Sequence, residues 1–291
     1  MSENIKKRVA LIGKNTIAVG ALEILLSKNI DLVLVSPNNS ESSDDGWQRS
    51  LLKFSKEKGL PVKQFSKINE PSSIEYLKSL ELDYLFSIQY DQIIRQPVID
   101  TAKSGAINLH FSPLPRYRGV SPIALALLNG EKEFGVTMHY MDPGVDTGDL
   151  ISQVMFNIES IANARELYDL VVEKGLELFA DSIDNILAQK NSRSPQDNSR
   201  ALYFSRGSID FKENQIDFNK DSRSLSNWIK AFIFPPFQYP VFALDEKVYQ
   251  VVKVSADYTK NNFEKPGSLV FSEKNLFKFA TQDSYIVLTA L

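Results

Sequence analysis

Ala106-Ile107-Asn108-Leu109-His110-Phe111-Ser112-Pro113-Leu114-Pro115-Arg116-Tyr117-Arg118-Gly119 begins as a strand and ends as a loop. The apolar run at its start has the character of a buried strand; Ser112, two prolines and Gly119 then break the regular backbone. Between run and break stand an amide and an imidazole, Asn108 and His110, two positions apart. Alternate side chains of a strand share a face, so both point the same way. A polar pair at the carboxyl end of a buried strand is where open α/β sheets build their sites. His110 is one of only two histidines in the chain.

A lone histidine near a strand end is more often a satisfied structural group than a catalyst. A second segment shifts that balance: Met138-His139-Tyr140-Met141-Asp142-Pro143-Gly144-Val145-Asp146-Thr147-Gly148-Asp149. It repeats the design, with Val136, Met138 and Tyr140 on one strand face followed by a glycine-punctuated turn rich in carboxylates. Two such strand ends side by side place Asn, His and Asp together as a proton-handling set. The amide can hydrogen-bond a developing oxyanion, the imidazole can take or relay a proton, and a carboxylate can hold the imidazole charged. His139 falls on the strand face opposite Met138 and Tyr140, and a structural or exposed role is expected for it.

Asn108-x-His110, the loop Ser112-Pro113-Leu114-Pro115-x-Tyr117-Arg118-Gly119 and Asp146-Thr147-Gly148-Asp149 together resemble the folate-dependent formyltransferase family. That family includes methionyl-tRNA formyltransferase, glycinamide ribonucleotide transformylase and nucleotide-sugar N-formyltransferases. His110 and Asp146 are 36 positions apart, which matches the family's spacing of catalytic histidine and aspartate and selects Asp146 over Asp142 and Asp149. The resemblance is strong over residues 80–150 and weak beyond 200. It implies Asn108, His110 and Asp146 as catalytic residues and N10-formyltetrahydrofolate as co-substrate. It also implies a folate wall of Phe86, Ser87, Ile88, Gln89, Tyr90 and Ile94, with Asp142. Sheet core is the plain alternative for most of that wall. Trp47, Arg116, Tyr117 and Arg118 are the candidates for acceptor contacts. Trp47 is equally readable as an anchor for the helix that follows it, and the two arginines as solvated surface charges.

At 291 residues, with 43% hydrophobic and 11% aromatic residues, the chain suffices for one large domain and a smaller one. Cysteine is absent, which excludes disulfides, thiolate catalysis and cysteine-ligated metals; two histidines make a histidine-rich metal site improbable, and no metal is expected. No apolar run approaches the roughly 20 residues of a membrane helix, and the polar start Met1-Ser2-Glu3-Asn4-Ile5-Lys6-Lys7-Arg8 lacks a signal-peptide core. A soluble, cytoplasmic protein is expected. The net charge of −3 and the lack of a Lys/Arg cluster weigh against a nucleic-acid substrate, since such proteins grip phosphates through basic patches.

Val9-Ala10-Leu11-Ile12, a helical spacing over residues 17–26 and Leu32-Val33-Leu34-Val35 spell βαβ, which predicts a parallel sheet with right-handed crossovers. The turn after the first strand lacks the spaced glycines of a dinucleotide site. Residues 60–65 read as a third strand, 72–80 as a helix, and 121–130 as a helix with Ser121 as cap and Pro122 at its first position. An amphipathic stripe runs over 166–189. Residues 190–200, polar and carrying Pro195, read as a linker. Short β-strands follow at 247–254, 267–271, 276–280 and 285–289. The expected fold is therefore α/β, a Rossmann-like mostly parallel sheet over residues 1–195, with a small β-rich domain over 196–291. The aromatic run at 232–242 serves as core of that domain or, as in sugar-modifying relatives, as part of a homodimer interface.

The resemblance, the acidic balance and the short C-terminal region favour formyl transfer to a nucleotide-linked amino sugar, with dTDP-4-amino-4,6-dideoxyglucose the preferred example and a surface polysaccharide as destination. Methionyl-tRNA is the alternative acceptor. A basic patch near the loop at 37–45 would favour the tRNA. A non-catalytic binding module is disfavoured by the intact Asn108, His110 and Asp146.

Overall fold

A computed structural model of the chain describes residues 6–261 and 264–291; the polar Met1 to Ile5 start lies outside them. The first half runs β1 (Lys7–Gly13), α1 (Asn15–Leu26), β2 (Ile30–Pro37), α2 (Leu51–Glu57), α3 (Pro71–Ser79), β3 (Tyr84–Ile88), α4 (Gln96–Ile99) and β4 (Gly105–His110). Next come the two-residue β5 (Arg118–Gly119), α5 (Pro122–Leu128), β6 (Glu133–Tyr140), β7 (Leu150–Asn157), the long α6 (Ala164–Leu187) and the two-residue β8 (Tyr203–Phe204). The last part holds α7 (Ser222–Phe232), β9 (Val241–Leu244), β10 (Lys247–Asp257), β11 (Leu269–Glu273), β12 (Leu276–Ala280) and β13 (Tyr285–Ala290).

Six strands form the main sheet in the order β2-β1-β3-β4-β6-β7. The pairs β1/β2, β1/β3 and β3/β4 are parallel, as the βαβ pattern requires, and β4/β6 is antiparallel. The expected α/β architecture is present, with a C-terminal antiparallel sheet β11-β12-β13-β10-β9. Val9, Ala10, Leu11 and Ile12 of β1 are wholly buried, and a near-continuous apolar strand is what a sheet covered on both faces demands. Gly20 belongs to packing: a Cβ there would lie 2.7 Å from Leu176 on α6, so glycine permits the close approach of α1 to α6.

Two local expectations are corrected. Residues 60–65 make a single parallel bridge, Val35 with Val62, rather than a strand; Pro61 has no N–H to extend a ladder. Ser121 sits at φ 55° and caps α5 with no side-chain hydrogen bond. The side-chain caps are found elsewhere, at Ser50 on α2 and Asp221 on α7.

The chain divides into two compact units, one of Met1–Arg118, Gly135–Met155 and Val171–Tyr203, the other of Gly119–Phe134, Phe156–Leu170 and Phe204–Leu291. The second unit has its own core. Leu225, Ile229 and Phe232 follow one another on the buried face of α7. Phe242, fully buried, meets the rings of Tyr249, Phe277 and Phe279 at 5.1 Å each. Of the aromatics at 232–242, Phe232 and Phe242 are core, Phe234 and Tyr239 are half-buried, and Phe237 is left 63% exposed. Among the described residues no helix is long and apolar enough to cross a membrane, and no cluster of His, Cys, Asp and Glu is arranged to hold a metal ion.

Candidate functional site

The first unit brings Asn108, His110 and Asp146 together. Asn108 and His110 project from β4, and Asp146 comes from the turn after β6, the antiparallel neighbour of β4. Register places Asn108 directly opposite His139, so these two side chains share a face as a cross-strand pair. Asn108 Nδ2 lies 3.1 Å from His139 Nε2 and 3.5 Å from Asp146 Oδ1. Asp146 Oδ1 is 3.6 Å from His110 Nδ1 and also 3.6 Å from His139 Nε2. One carboxylate oxygen therefore stands at the centre of an amide and two imidazoles.

The hydrogen-bond network assigns the ring protons. His139 Nδ1 lies 2.7 Å from the Tyr140 carbonyl oxygen, which can only accept, so Nδ1 carries the proton and Nε2 accepts from Asn108. His110 Nε2 lies 3.0 Å from the Tyr117 carbonyl oxygen, so it donates there while Nδ1 faces Asp146. Both nitrogens of His110 thus face acceptors, and the ring donates at both only as the imidazolium. His110 and His139 are buried, at 8% and 2% exposure, which keeps these polar groups in a medium where each interaction counts for more than in water.

Of the structural or exposed role expected for His139, exposure is excluded: the ring is buried, hydrogen-bonded beside Asn108. Its strand parity was legible, but the identity of the facing strand was not. Tyr117 contributes its backbone carbonyl to the cluster, and its side chain is 1% exposed. The loop that delivers this carbonyl is braced by Thr137, whose Oγ1 donates to the Ser112 carbonyl at 2.7 Å and accepts from Leu114 N and Gln153 Nε2.

Arg118 is buried, and its guanidinium donates to Gln196 Oε1 at 3.1 and 2.7 Å and to Asn198 Oδ1 at 2.8 Å. Arg116 lies over the Tyr117 ring, 5.3 Å from its centroid. Of the folate-wall candidates, Phe86 and Ile88 are sheet core, Phe86 meeting Phe179 edge-on at 5.5 Å. Ser87, 5% exposed, is the parallel-register neighbour of Asn108. Gln89 stands at φ 53°, its backbone carbonyl accepting from Asn38 Nδ2 and its side chain from Asn15 Nδ2. Burial pushes the Tyr90 hydroxyl up to about 12. Ile94 joins the apolar core beside β3. Asp142 Oδ1 accepts from Gly144 N and Thr147 Oγ1, and Asp142 lines a cavity of about 520 Å³ with Ile99, Lys103, Tyr140 and Arg193.

Trp47 lines a separate cavity of about 250 Å³ with Lys14, Asn15, Glu41 and Arg49, a set that includes none of Asn108, His110 and Asp146. Glu41 Oε1 there accepts from Leu51 N and Asn15 N, and Oε2 has no hydrogen-bond partner among the described residues. Burial raises the Glu41 carboxyl above its usual range, against the lowering effect of those backbone donors. A raised folded-state value means that protonated Glu41 favours folding. The associated stability is full below about pH 4 and is lost as pH rises through the folded value. Glu41→Gln is accordingly expected to be more stable than wild type at pH 8 and to lose that advantage at pH 4, read as melting temperatures. An equal difference at both pH values contradicts this.

Comparison with known proteins shows the family. Residues 7–183 match the family described as formyl transferase, and residues 208–291 match its C-terminal domain. A methionyl-tRNA formyltransferase of Listeria monocytogenes is 34% identical over 232 residues, covering 80% of this chain and 72% of that one. Another, from Clostridium tetani, is 30% identical over 290 residues, covering 97% and 90%. Among solved structures, a sugar 3N-formyltransferase, WlaRD, determined with dTDP and 5-N-formyl-THF, superposes with a TM-score of 0.80 at 31% identity over 100% of this chain and 99% of that one. An N-formyltransferase of Helicobacter canadensis in complex with folinic acid and dTDP-3-aminofucose gives 0.81 at 29% identity over 98% and 100%.

Proposed function

Because the chain belongs to the formyl transferase family and is an N-formyltransferase using N10-formyltetrahydrofolate, we propose that its acceptor is the primary amine of a dTDP-linked amino-dideoxyhexose. The observation that carries this reading is the end-to-end likeness to two sugar-related enzymes studied with folate compounds and dTDP or a dTDP-sugar. Those two point first to a 3-amino sugar, with dTDP-4-amino-4,6-dideoxyglucose as the other member of the class. The formylated product would serve a surface polysaccharide.

The donor set fits acyl transfer: an amide N–H, an imidazole and a carboxylate converge on one largely buried face. When bound, the folate supplies the activated formyl carbon and N10 as the leaving nitrogen. Asn108 Nδ2 and His110 Nδ1, whose contacts with Asp146 Oδ1 are long at 3.5 and 3.6 Å, turn to donate to the formyl oxygen as negative charge develops on it, each donor contributing on the order of 3 kcal/mol. Asp146, which faces His110, takes the proton that the attacking amine releases, directly or through water, and passes it toward N10 as the carbon–nitrogen bond breaks. His139 accepts one N–H of Asn108 and so fixes the amide, whose other N–H reaches Asp146 Oδ1 at 3.5 Å until the formyl oxygen takes its place. Asp142 and the cavity it lines, with Tyr90 and Ile94, are proposed for the folate. Arg116 and Trp47 are proposed for the acceptor, and the buried Tyr117 and Arg118 are proposed to support the loop that bears Arg116.

The second reading, formylation of methionyl-tRNA, is favoured by the printed function of the sequence relatives. Against it, cations around the loop at 37–45 are paired with neighbours: Lys14 with Asp91, Arg49 with Glu23, and Lys53 of α2 with Asp45. The test is incubation with N10-formyltetrahydrofolate and, separately, the 3-amino and 4-amino dTDP-sugars and initiator methionyl-tRNA, with products weighed by mass spectrometry. Gain of one formyl group on a sugar is expected. Gain on the tRNA alone would establish the second reading.

A further inference from the structure

Gln196 lies in the polar segment between the two matched domains, which end at residue 183 and begin at 208. It is buried, at 9% exposure, and all four hydrogen-bonding positions of its amide are filled. Nε2 donates to the Asp146 carbonyl at 2.8 Å and to the Gly148 carbonyl at 2.7 Å. Oε1 accepts from Arg118 Nε and Nη2 at 3.1 and 2.7 Å. The amide has only one workable orientation, since a guanidinium only donates and a carbonyl only accepts.

One side of this clamp is the turn that carries Asp146, and the other is the loop whose Tyr117 carbonyl faces His110 of β4. On one side, Asp146 is held at φ 55° in the turn after β6. On the other, Arg118 follows Tyr117, whose carbonyl accepts from His110 Nε2. We propose that Gln196 is a positioning residue for formyl transfer, a single amide that sets the Asp146 turn against the Arg118 loop and so fixes the carboxylate relative to the imidazole. The proposal rests on the assignment of His110 and Asp146 to the chemistry. Neither Gln196 nor Arg118 needs to touch a substrate for this to hold.

Two variants of the full chain separate positioning from mere stability. Gln196→Met keeps length and burial but removes every hydrogen bond. Gln196→Glu keeps the acceptor for Arg118 and turns a carboxylate toward two carbonyls. With the amine that wild type formylates, both are expected to lose roughly 10- to 100-fold in kcat, with the KM of each substrate within about threefold and a displaced kcat–pH profile. Folded variants with wild-type kcat and pH profile, and only a lower melting temperature, overturn the proposal. If Gln196→Met does not fold, the same criteria apply to Gln196→Glu. If wild type formylates none of the amines, the functional reading has failed and hydrogen exchange decides this one. Faster exchange confined to residues 143–149 and 116–119 in Gln196→Met upholds the clamp, and unchanged exchange there overturns it.

Discussion

His110→Ala is expected to lower kcat for formyl transfer by at least about 10³-fold while the protein stays folded. The ring meets Tyr117 O through one nitrogen and faces Asp146 through the other, so its removal takes away an oxyanion donor and the proton relay together. A preorganised donor contributes roughly 10²–10³ in rate and general acid–base catalysis roughly 10²–10⁴; because both act through one ring, they do not simply multiply. The cost to stability is smaller, about 1–3 kcal/mol for leaving the Tyr117 carbonyl without its partner. Steady-state kinetics beside a thermal melt check both halves. A fall in kcat of less than tenfold with an unchanged melt would remove His110 from the chemistry.

Gly148→Ala is the second large effect. A Cβ at Gly148 would stand 1.9 Å from the Tyr140 carbonyl oxygen, more than an ångström inside the 3.0 Å below which real Cβ contacts essentially never fall. Both atoms are backbone, or fixed to it, so no side chain can rotate away. The turn between Asp142 and Asp149 must shift, and Asp146 rides on it. A misplacement of about 1 Å in a catalytic group costs on the order of 10²-fold in rate, and the strained turn also loses stability. The expected outcome is a loss of at least about 10²-fold in kcat together with a lower melting temperature. Retention of wild-type kcat would mean that the turn tolerates an ångström shift and that Asp146 needs no fixed seat.

These two positions differ in how visible they were beforehand. His110 announced itself through strand alternation with Asn108, because side-chain direction along a strand is a local property of the backbone; its 36-residue separation from Asp146 carried meaning only through the family resemblance. The turn glycines of 142–149 were visible as punctuation, but the crowding that demands glycine at 148 comes from the Tyr140 carbonyl. Hydrogen bonds in which one side chain meets another loop's backbone leave no period in the sequence.

Local patterning was enough to read the βαβ opening from its apolar runs, the long amphipathic α6, the β-rich C-terminal part, and Asn108 and His110 on one face. All of these follow from periodicities of a few residues, which short-range sterics and solvent exclusion enforce. The packed fold was needed to show that β6 runs antiparallel to β4 with His139 opposite Asn108, that Arg118 is buried, and that Gln196 folds back onto the Asp146 turn. Each depends on which distant segments become neighbours, a choice made by the combined burial of the sheet's apolar faces and the need to satisfy every buried polar group. No single segment contains that information.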